Sequence, residues 1–339
     1  MEIEVVAPNR IDLAGGTTDL YPLYLLMDGG CTVNVAITVN SRVKMITRGD
    51  KRIRIVSEDL GEVVEISDRS ELQVDGPLGL VCRAVRALPP ESGVKIFTHN
   101  LAPAGSGLGA SSALLVALLR GLLELRQESA DLRMIVDLAA EIETAAIGVP
   151  AGKQDYIAAL FGGISLIDFG YRGFARSAVS DESTRFDDLE RRLVLSFTGE
   201  GRFSGMNNWE ITKKYIDDEG EVRNTLIRIR DVAREVKRVV AAGLWDDLPE
   251  LVDQEWTLRR SLAPGVTTDR IDAIMAAARS RGALANKICG AGGGGCMITL
   301  TPPERRSAVE DAIARAGGQV LEYKIDRQGL SVTRQDGTS

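Results

Sequence analysis

The chain has 339 residues, 44% of them hydrophobic, and a formal net charge of −7. That length holds two domains or one large one with a sizeable core, and the acidic balance disfavours a nucleic-acid binder. His99 is the only histidine, which excludes multi-histidine metal sites and leaves base chemistry to carboxylates or lysines unless that one side chain serves.

In chain order, the first 66 residues read as short β runs at 3–6, 32–37, 43–47, 53–56 and 63–66, separated by Gly, Asp and Asn. Cys31, Cys82, Cys289 and Cys296 form no CxxC pair, and no apolar leader precedes the first strand, which fits a reducing cytoplasm. A helix is expected over 78–88, stopped by Pro89 and Pro90, then a strand over 94–98. That strand feeds APAGSGLGASSA, residues 102–113, a loop that runs into an almost wholly apolar helix ending near 125. The charge-free run 101–119 is broken by Pro103, three glycines and three serines, so no membrane span is expected.

A second helix over 131–147 sets Ile135, Leu138, Ala139, Ile142 and Ala146 on one stripe. Glu141 and Glu143 lie about 200° apart on it, and Glu143 is the nearer to the stripe. A turn, a short helix and a strand to 169 follow. Beyond 171 the chain reads as a polar stretch to 192, a strand over 193–197, and charged helices through 215, 223–242 and 245–262. The remainder is helix 269–281, strand 283–288, a glycine run, strand 296–300, helix 303–316 and strand 319–325, with 327–339 as a frayed tail. This order predicts an α+β fold of two lobes, an N-terminal domain over 1–170 and a C-terminal domain over 171–339 with helices on an antiparallel sheet.

Gly105, Gly107 and Gly109 permit close backbone approach to a ligand, and the helix start beyond them offers free N–H groups and a positive dipole end. That is an anion seat, or else an ordinary turn capped by Ser106 or Ser111. The run Gly290 to Gly295 formally matches GxGxxG, but a strand and not a helix follows it, so a strand-to-strand loop near the first glycine loop is expected in place of a dinucleotide fold. A purely structural hairpin is the alternative. Asp155 and Asp19 each sit in glycine-bearing turns, where an aspartate also serves as a solvated cap, and Arg10 with Asp12 also fits a surface pair.

Three segments taken together resemble the GHMP kinases, the superfamily of galactokinase, homoserine kinase, mevalonate kinase and phosphomevalonate kinase. APNRIDLAGGTTDL (7–20) is similar to the first motif, APAGSGLGASSA to the phosphate-loop motif, and KICGAGGGGCMI (287–298) to the third, glycine-rich one. The resemblance implies a two-lobed GHMP fold with a left-handed βαβ unit in the N-terminal lobe. It implies that Pro103, Gly105, Ser106, Gly107, Leu108, Gly109, Ala110, Ser111 and Ser112 cradle ATP phosphates, and that Ser111 and Glu143 hold Mg²⁺. Asp155 then faces the acceptor hydroxyl with Arg10 beside it, and Gly290, Gly292, Gly293 and Gly294 crowd the same cleft.

Within the superfamily, AGKQDYIAALFGG (151–163) with LAGGTTD resembles the bacterial D-glycero-D-manno-heptose phosphate kinases, which implies a sugar or sugar-phosphate acceptor and cytoplasmic carbohydrate metabolism. Where galactokinase carries Glu-His before Thr-Asp, this chain has Gly16 and Thr17, so Asp19 alone remains of that sugar-binding set. Lys153, Arg202, Lys213 and Lys214 are available to an acceptor phosphate. No nucleic-acid or membrane partner is implied, and a homodimer is left open. A kinase of mevalonate or homoserine, and a non-catalytic sugar sensor, are the rival readings; joint retention of Asp155, Glu143 and Ser111 argues against the sensor.

Overall fold

The N-terminal half is built on two long strands, buried on both faces where β1 ends and β2 begins and on one face elsewhere. Strand β1 (Glu2–Ala14) is buried at every residue from Pro8 onward, and after the short helix α1 (Leu23–Leu26), β2 (Gly30–Thr47) pairs with it antiparallel. The runs at 32–37 and 43–47, expected as separate strands, are one strand, because β1 pairs along both and a register shift at Pro8/Asn9 absorbs the break. Strands β3 (Ile53–Ser57) and β4 (Glu62–Ile66) form a hairpin, and helix α2 (Gly79–Ala87) returns the chain to β5 (Val94–Asn100), which pairs parallel to β3.

Helices α3 (Ala110–Leu125), α4 (Leu132–Ile147) and α5 (Gln154–Phe161) follow, then β6 (Ile164–Gly170) and β7 (Gly173–Ala178). The stretch expected to be merely polar holds β7 and an amphipathic helix α6 (Ser183–Arg192), which buries Phe186 and Leu189. Next come β8 (Leu193–Phe197), α7 (Gly205–Ile216), α8 (Val222–Ala242), α9 (Leu248–Arg260) and α10 (Asp269–Arg279). The chain ends with β9 (Ala285–Ile288), β10 (Cys296–Leu300), α11 (Arg306–Arg315), β11 (Gln319–Leu321) and β12 (Ser331–Gln335). The structure, a computed structural model, describes residues 1–179, 183–201, 205–290 and 292–335.

One mixed sheet runs β12-β1-β2-β5-β3-β4, with β6 and β7 attached to β2; a second, antiparallel sheet runs β11-β8-β10-β9. The tail does not fray over 331–335, since β12 pairs antiparallel with β1 from Val6↔Ser331 to Glu2↔Gln335 and covers its edge. Helix α3 lies in the core beneath the first sheet with twelve of its residues buried. A second cluster spans both sheets through Val33, Val35, Leu195 and Ile298, together with Ala233 and Val236 of α8, so the two sheets share apolar packing. Loops from both halves meet at the start of α3.

Candidate active site

Helix α3 begins without a side-chain cap. Its N-cap is Gly109, in the left-handed region at φ 74°, and neither Ser106 nor Ser111 fills the capping role. The first-turn amides are thus open at the wall of a cavity of about 570 Å³ lined by Pro103, Gly105, Ser106, Gly107, Gly109, Ala110, Ser111 and Ser112. Of the expected phosphate loop only Leu108 turns inward, fully buried, with its carbonyl accepting from the Arg10 amide at 2.9 Å.

The glycine at 109 has a second use. A Cβ there would stand 2.8 Å from Asp155 Oδ2, so only glycine lets this carboxylate sit against the helix start. Asp155 lies in the first turn of α5, and Arg10 Nε donates to its Oδ1 at 2.7 Å while Arg10 Nη1 donates to the Gly107 carbonyl at 2.5 Å. Burial pushes the Asp155 carboxyl up to about 6; nearby Asp19 and Glu143 add to the rise and Arg10 opposes it. Arg10 and Asp12 are therefore no surface pair, being buried at 4% and 0% exposure with separate partners.

Glu143 is buried and Glu141 is exposed, as the helix phase predicts. Ser111 Oγ donates to Glu143 Oε1 at 2.6 Å, Ser112 Oγ to Oε2 at 2.8 Å, and the Tyr156 hydroxyl also to Oε2. Burial and the charge of Glu143 hold the Tyr156 phenol well above its usual range, so it stays a donor. A hydroxyl and a carboxylate together on the cavity wall are hard oxygen donors of the kind Mg²⁺ takes alongside phosphate oxygens and water, so Ser111 and Glu143 fit that ion. Among the described residues no group of three or more His, Cys, Asp or Glu side chains is placed to hold a metal, and Mg²⁺ shared with phosphates needs none.

Across the cavity stand Gly16, Thr17 and Asp19. The Asp19 carboxylate accepts the first amide of α5, Gln154 N–H, at 3.0 Å, and caps a helix that has no cap of its own. Burial raises the Asp19 carboxyl, against the pull of that hydrogen bond. Asp19 thereby anchors the helix that carries Asp155.

The third glycine segment does join the cleft. Gly290 lines the cavity, its absent Cβ 3.3 Å from the Gly107 carbonyl, and a Cβ on Gly295 would reach within 2.6 Å of the Ser106 carbonyl. Gly292 and Gly293 pack instead on Val266, whose carbonyl accepts from the Gly293 amide at 2.7 Å, and Gly294 sits at φ 146° in the same turn. Cys296 N–H donates to the Ser106 carbonyl at 2.7 Å, stitching β10 to the phosphate loop.

Among the described residues, the lysines considered for an acceptor phosphate do not line the cavity. Lys153 does not line the cavity: its Nζ donates to Asp137 on α4 at 2.6 Å, which corrects its expected role as a phosphate reader. Arg202 lies outside the described residues. Lys213 and Lys214 are on α7 away from the cavity wall, whereas Asn208 of that helix reaches it.

Sequence reasoning passed over Lys287, Glu255 and Arg259, all buried at 1% exposure or less. Lys287 Nζ donates to Asp12 Oδ2 at 2.7 Å and lies 3.7 Å from Glu255 Oε2, while Arg259 Nη2 donates to Glu255 Oε1 and, at 2.8 Å, to the Gly16 carbonyl. The lysine stood in view as the first residue of the third motif; a lone Glu and Arg on a charged helix gave no such signal.

The GHMP kinases N terminal domain matches residues 79–163 and the GHMP kinases C terminal domain residues 236–319. The chain is 27% identical to a D-glycero-alpha-D-manno-heptose 7-phosphate kinase of Campylobacter jejuni, over 98% of this chain and 99% of that one. It is 28% identical to a mevalonate kinase of Thermococcus sibiricus, over 98% of each. The crystal structure of a D-glycero-D-manno-heptose 1-phosphate kinase from Bacteriodes thetaiotaomicron superposes with a TM-score of 0.80 at 25% identity, covering 99% of this chain and 100% of that one. With both domain patterns matched in order and the two-sheet fold shared end to end, the chain belongs to the GHMP kinases.

Proposed function

We propose that this protein is an ATP- and Mg²⁺-dependent kinase that phosphorylates a hydroxyl of a heptose phosphate, the anomeric hydroxyl of a 7-phosphate being the first candidate. The observation that carries the reading is the Asp155 carboxylate held by Arg10 against Gly109, in one cavity with the open start of α3 on one side and Asp19 on the other. A nucleotide triphosphate laid along 103–112 presents its terminal phosphate near Asp155, and an acceptor hydroxyl there attacks phosphorus as the bond to ADP breaks. Asp155 orients that hydroxyl and takes its proton, now or late in a loose transition state. Bound Mg²⁺ supplies neutralisation of phosphate charge, with Ser111 and Glu143 as its protein ligands.

The heptose acceptor is drawn from the printed activity of the Campylobacter relative and of the Bacteriodes structure. The mevalonate kinase relatives, of like identity, make mevalonate the second reading. The proposed ATP-binding domain is 1–170 and the C-terminal domain 171–339. No helix among the described residues is long and apolar enough to cross a membrane, and the four cysteines are free and buried, in keeping with a cytoplasmic setting. An ATP-consumption screen over heptose 7-phosphate, heptose 1-phosphate, free hexoses, mevalonate and homoserine tests the reading. Turnover confined to mevalonate or homoserine would remove it.

A further inference from the structure

A ring of four buried charges lies beneath the acceptor side of the cavity, and none of its members lines the cavity itself. Asp12 comes from β1, Glu255 and Arg259 from α9, and Lys287 from β9. The two cations and two anions balance, which is what permits full burial. Burial alone would raise the Asp12 carboxyl, but Lys287, Arg259 and Arg10 hold it below its ordinary value.

What distinguishes this cluster from a plain core ion pair is where its spare hydrogen bonds go. Arg259 Nη2 donates to the Gly16 carbonyl at 2.8 Å and its Nη1 reaches Thr17 Oγ1 at 3.4 Å, while Glu255 Oε1 accepts from the Gly15 amide at 3.4 Å. Three consecutive residues of the acceptor loop are thus gripped by one pair from the second half of the chain. The grip falls where the backbone needs it, since Thr17 sits at φ 77°, a conformation that a residue with a branched Cβ does not hold unaided. Gly16 is equally constrained, because a Cβ there would come within 2.7 Å of Asp12 Oδ2.

We infer that Arg259 and Glu255 are positioning residues for acceptor recognition: through the Gly16 carbonyl and the Thr17 hydroxyl they fix the loop that presents Thr17 and Asp19 to the acceptor. The inference rests on the kinase reading for the identity of the acceptor, but not for the loop's order. Because the pair reaches only the acceptor side, its loss acts on one substrate. The phosphate loop is held separately, by Arg10 to Gly107 and by Cys296 to Ser106.

The test uses the full chain with Arg259→Lys, which keeps the charge and removes the forked guanidinium, and Glu255→Gln, which keeps the shape and removes the charge. Amide hydrogen exchange over residues 15–19 is read in the free protein, and KM for heptose 7-phosphate and for ATP in the assay. We expect faster exchange in that segment with α3 unchanged, and acceptor KM raised roughly tenfold while KM for ATP stays within about twofold. Should Arg259→Lys fail to fold, Glu255→Gln carries the same expectations. Unchanged exchange at 15–19, or equal losses for both substrates, overturns the inference. If the unmodified protein turns over none of the acceptors, the function reading fails, and the exchange measurement still decides the role of the pair.

Discussion

Arg10 and Asp155, 145 positions apart in sequence, are joined at 2.7 Å, and the same guanidinium also binds the Gly107 carbonyl of the phosphate loop. One side chain from β1 therefore sets the distance between the proposed base and the nucleotide seat. It also opposes the burial that would otherwise neutralise the carboxyl.

The pH dependence follows from that balance. The Asp155 carboxyl titrates at about 6 in the folded protein, so it is mostly ionised at neutral pH and protonated below. The acid limb of kcat/KM should fall through pH 6, about tenfold per pH unit below it. Because the folded value is raised, this group favours the folded state below about pH 4, and that contribution is lost as pH rises through 6; acid should remove activity here without a stability loss from this group. Arg10→Gln should move the acid limb upward. A limb that stays in place would mean that Arg10 does not govern the carboxyl.

Glu143→Gln and Ser111→Ala should each raise the Mg²⁺ concentration needed for half-maximal turnover, whereas Glu141→Gln, on the exposed face, should change little. Tyr156→Phe, which removes a hydrogen bond to Glu143 and leaves the ring, should weaken the metal requirement's affinity by about 10–100-fold. Mg²⁺ titrations of the four variants check this. A larger effect from Glu141→Gln than from Glu143→Gln contradicts the metal assignment.

Gly109→Ala adds a single methyl 2.8 Å from Asp155 Oδ2 at φ 74°. The helix start or the carboxylate must shift, and a displacement near 1 Å at a reacting pair costs on the order of 10² in rate. The expected outcome is a folded protein with kcat reduced by about that factor, read by steady-state kinetics beside a melting curve.

Much of this site was legible in the sequence because it is local. Gly105 to Ser112 forms loop and helix start within eight residues, and the choice of Glu143 over Glu141 needs only the helical repeat. The change of pattern beyond 171 signals a second, helix-rich part, but β7 and β12 both join the first sheet, so the sheets do not divide at that point. What escaped has partners far away in the chain. Glu255 and Arg259 sit on a helix whose other charges are solvated, and their burial depends on a loop some 240 residues earlier. Lys153 looked available because Asp137, its partner, belongs to the preceding helix and faces it only after folding. The last strand, β12, is short and mostly exposed, so its pattern resembles a tail until the open edge of β1 is seen.

The most direct test of the account is the steady-state kinetics of Asp155→Asn with the acceptor found in the screen. The amide keeps the shape beside Gly109 and loses the charge and the proton acceptor. We expect kcat to fall by about 10²–10⁴ with KM for ATP nearly unchanged. A kcat close to that of the unmodified protein would place the reacting carboxylate elsewhere and contradict the assignment of Asp155.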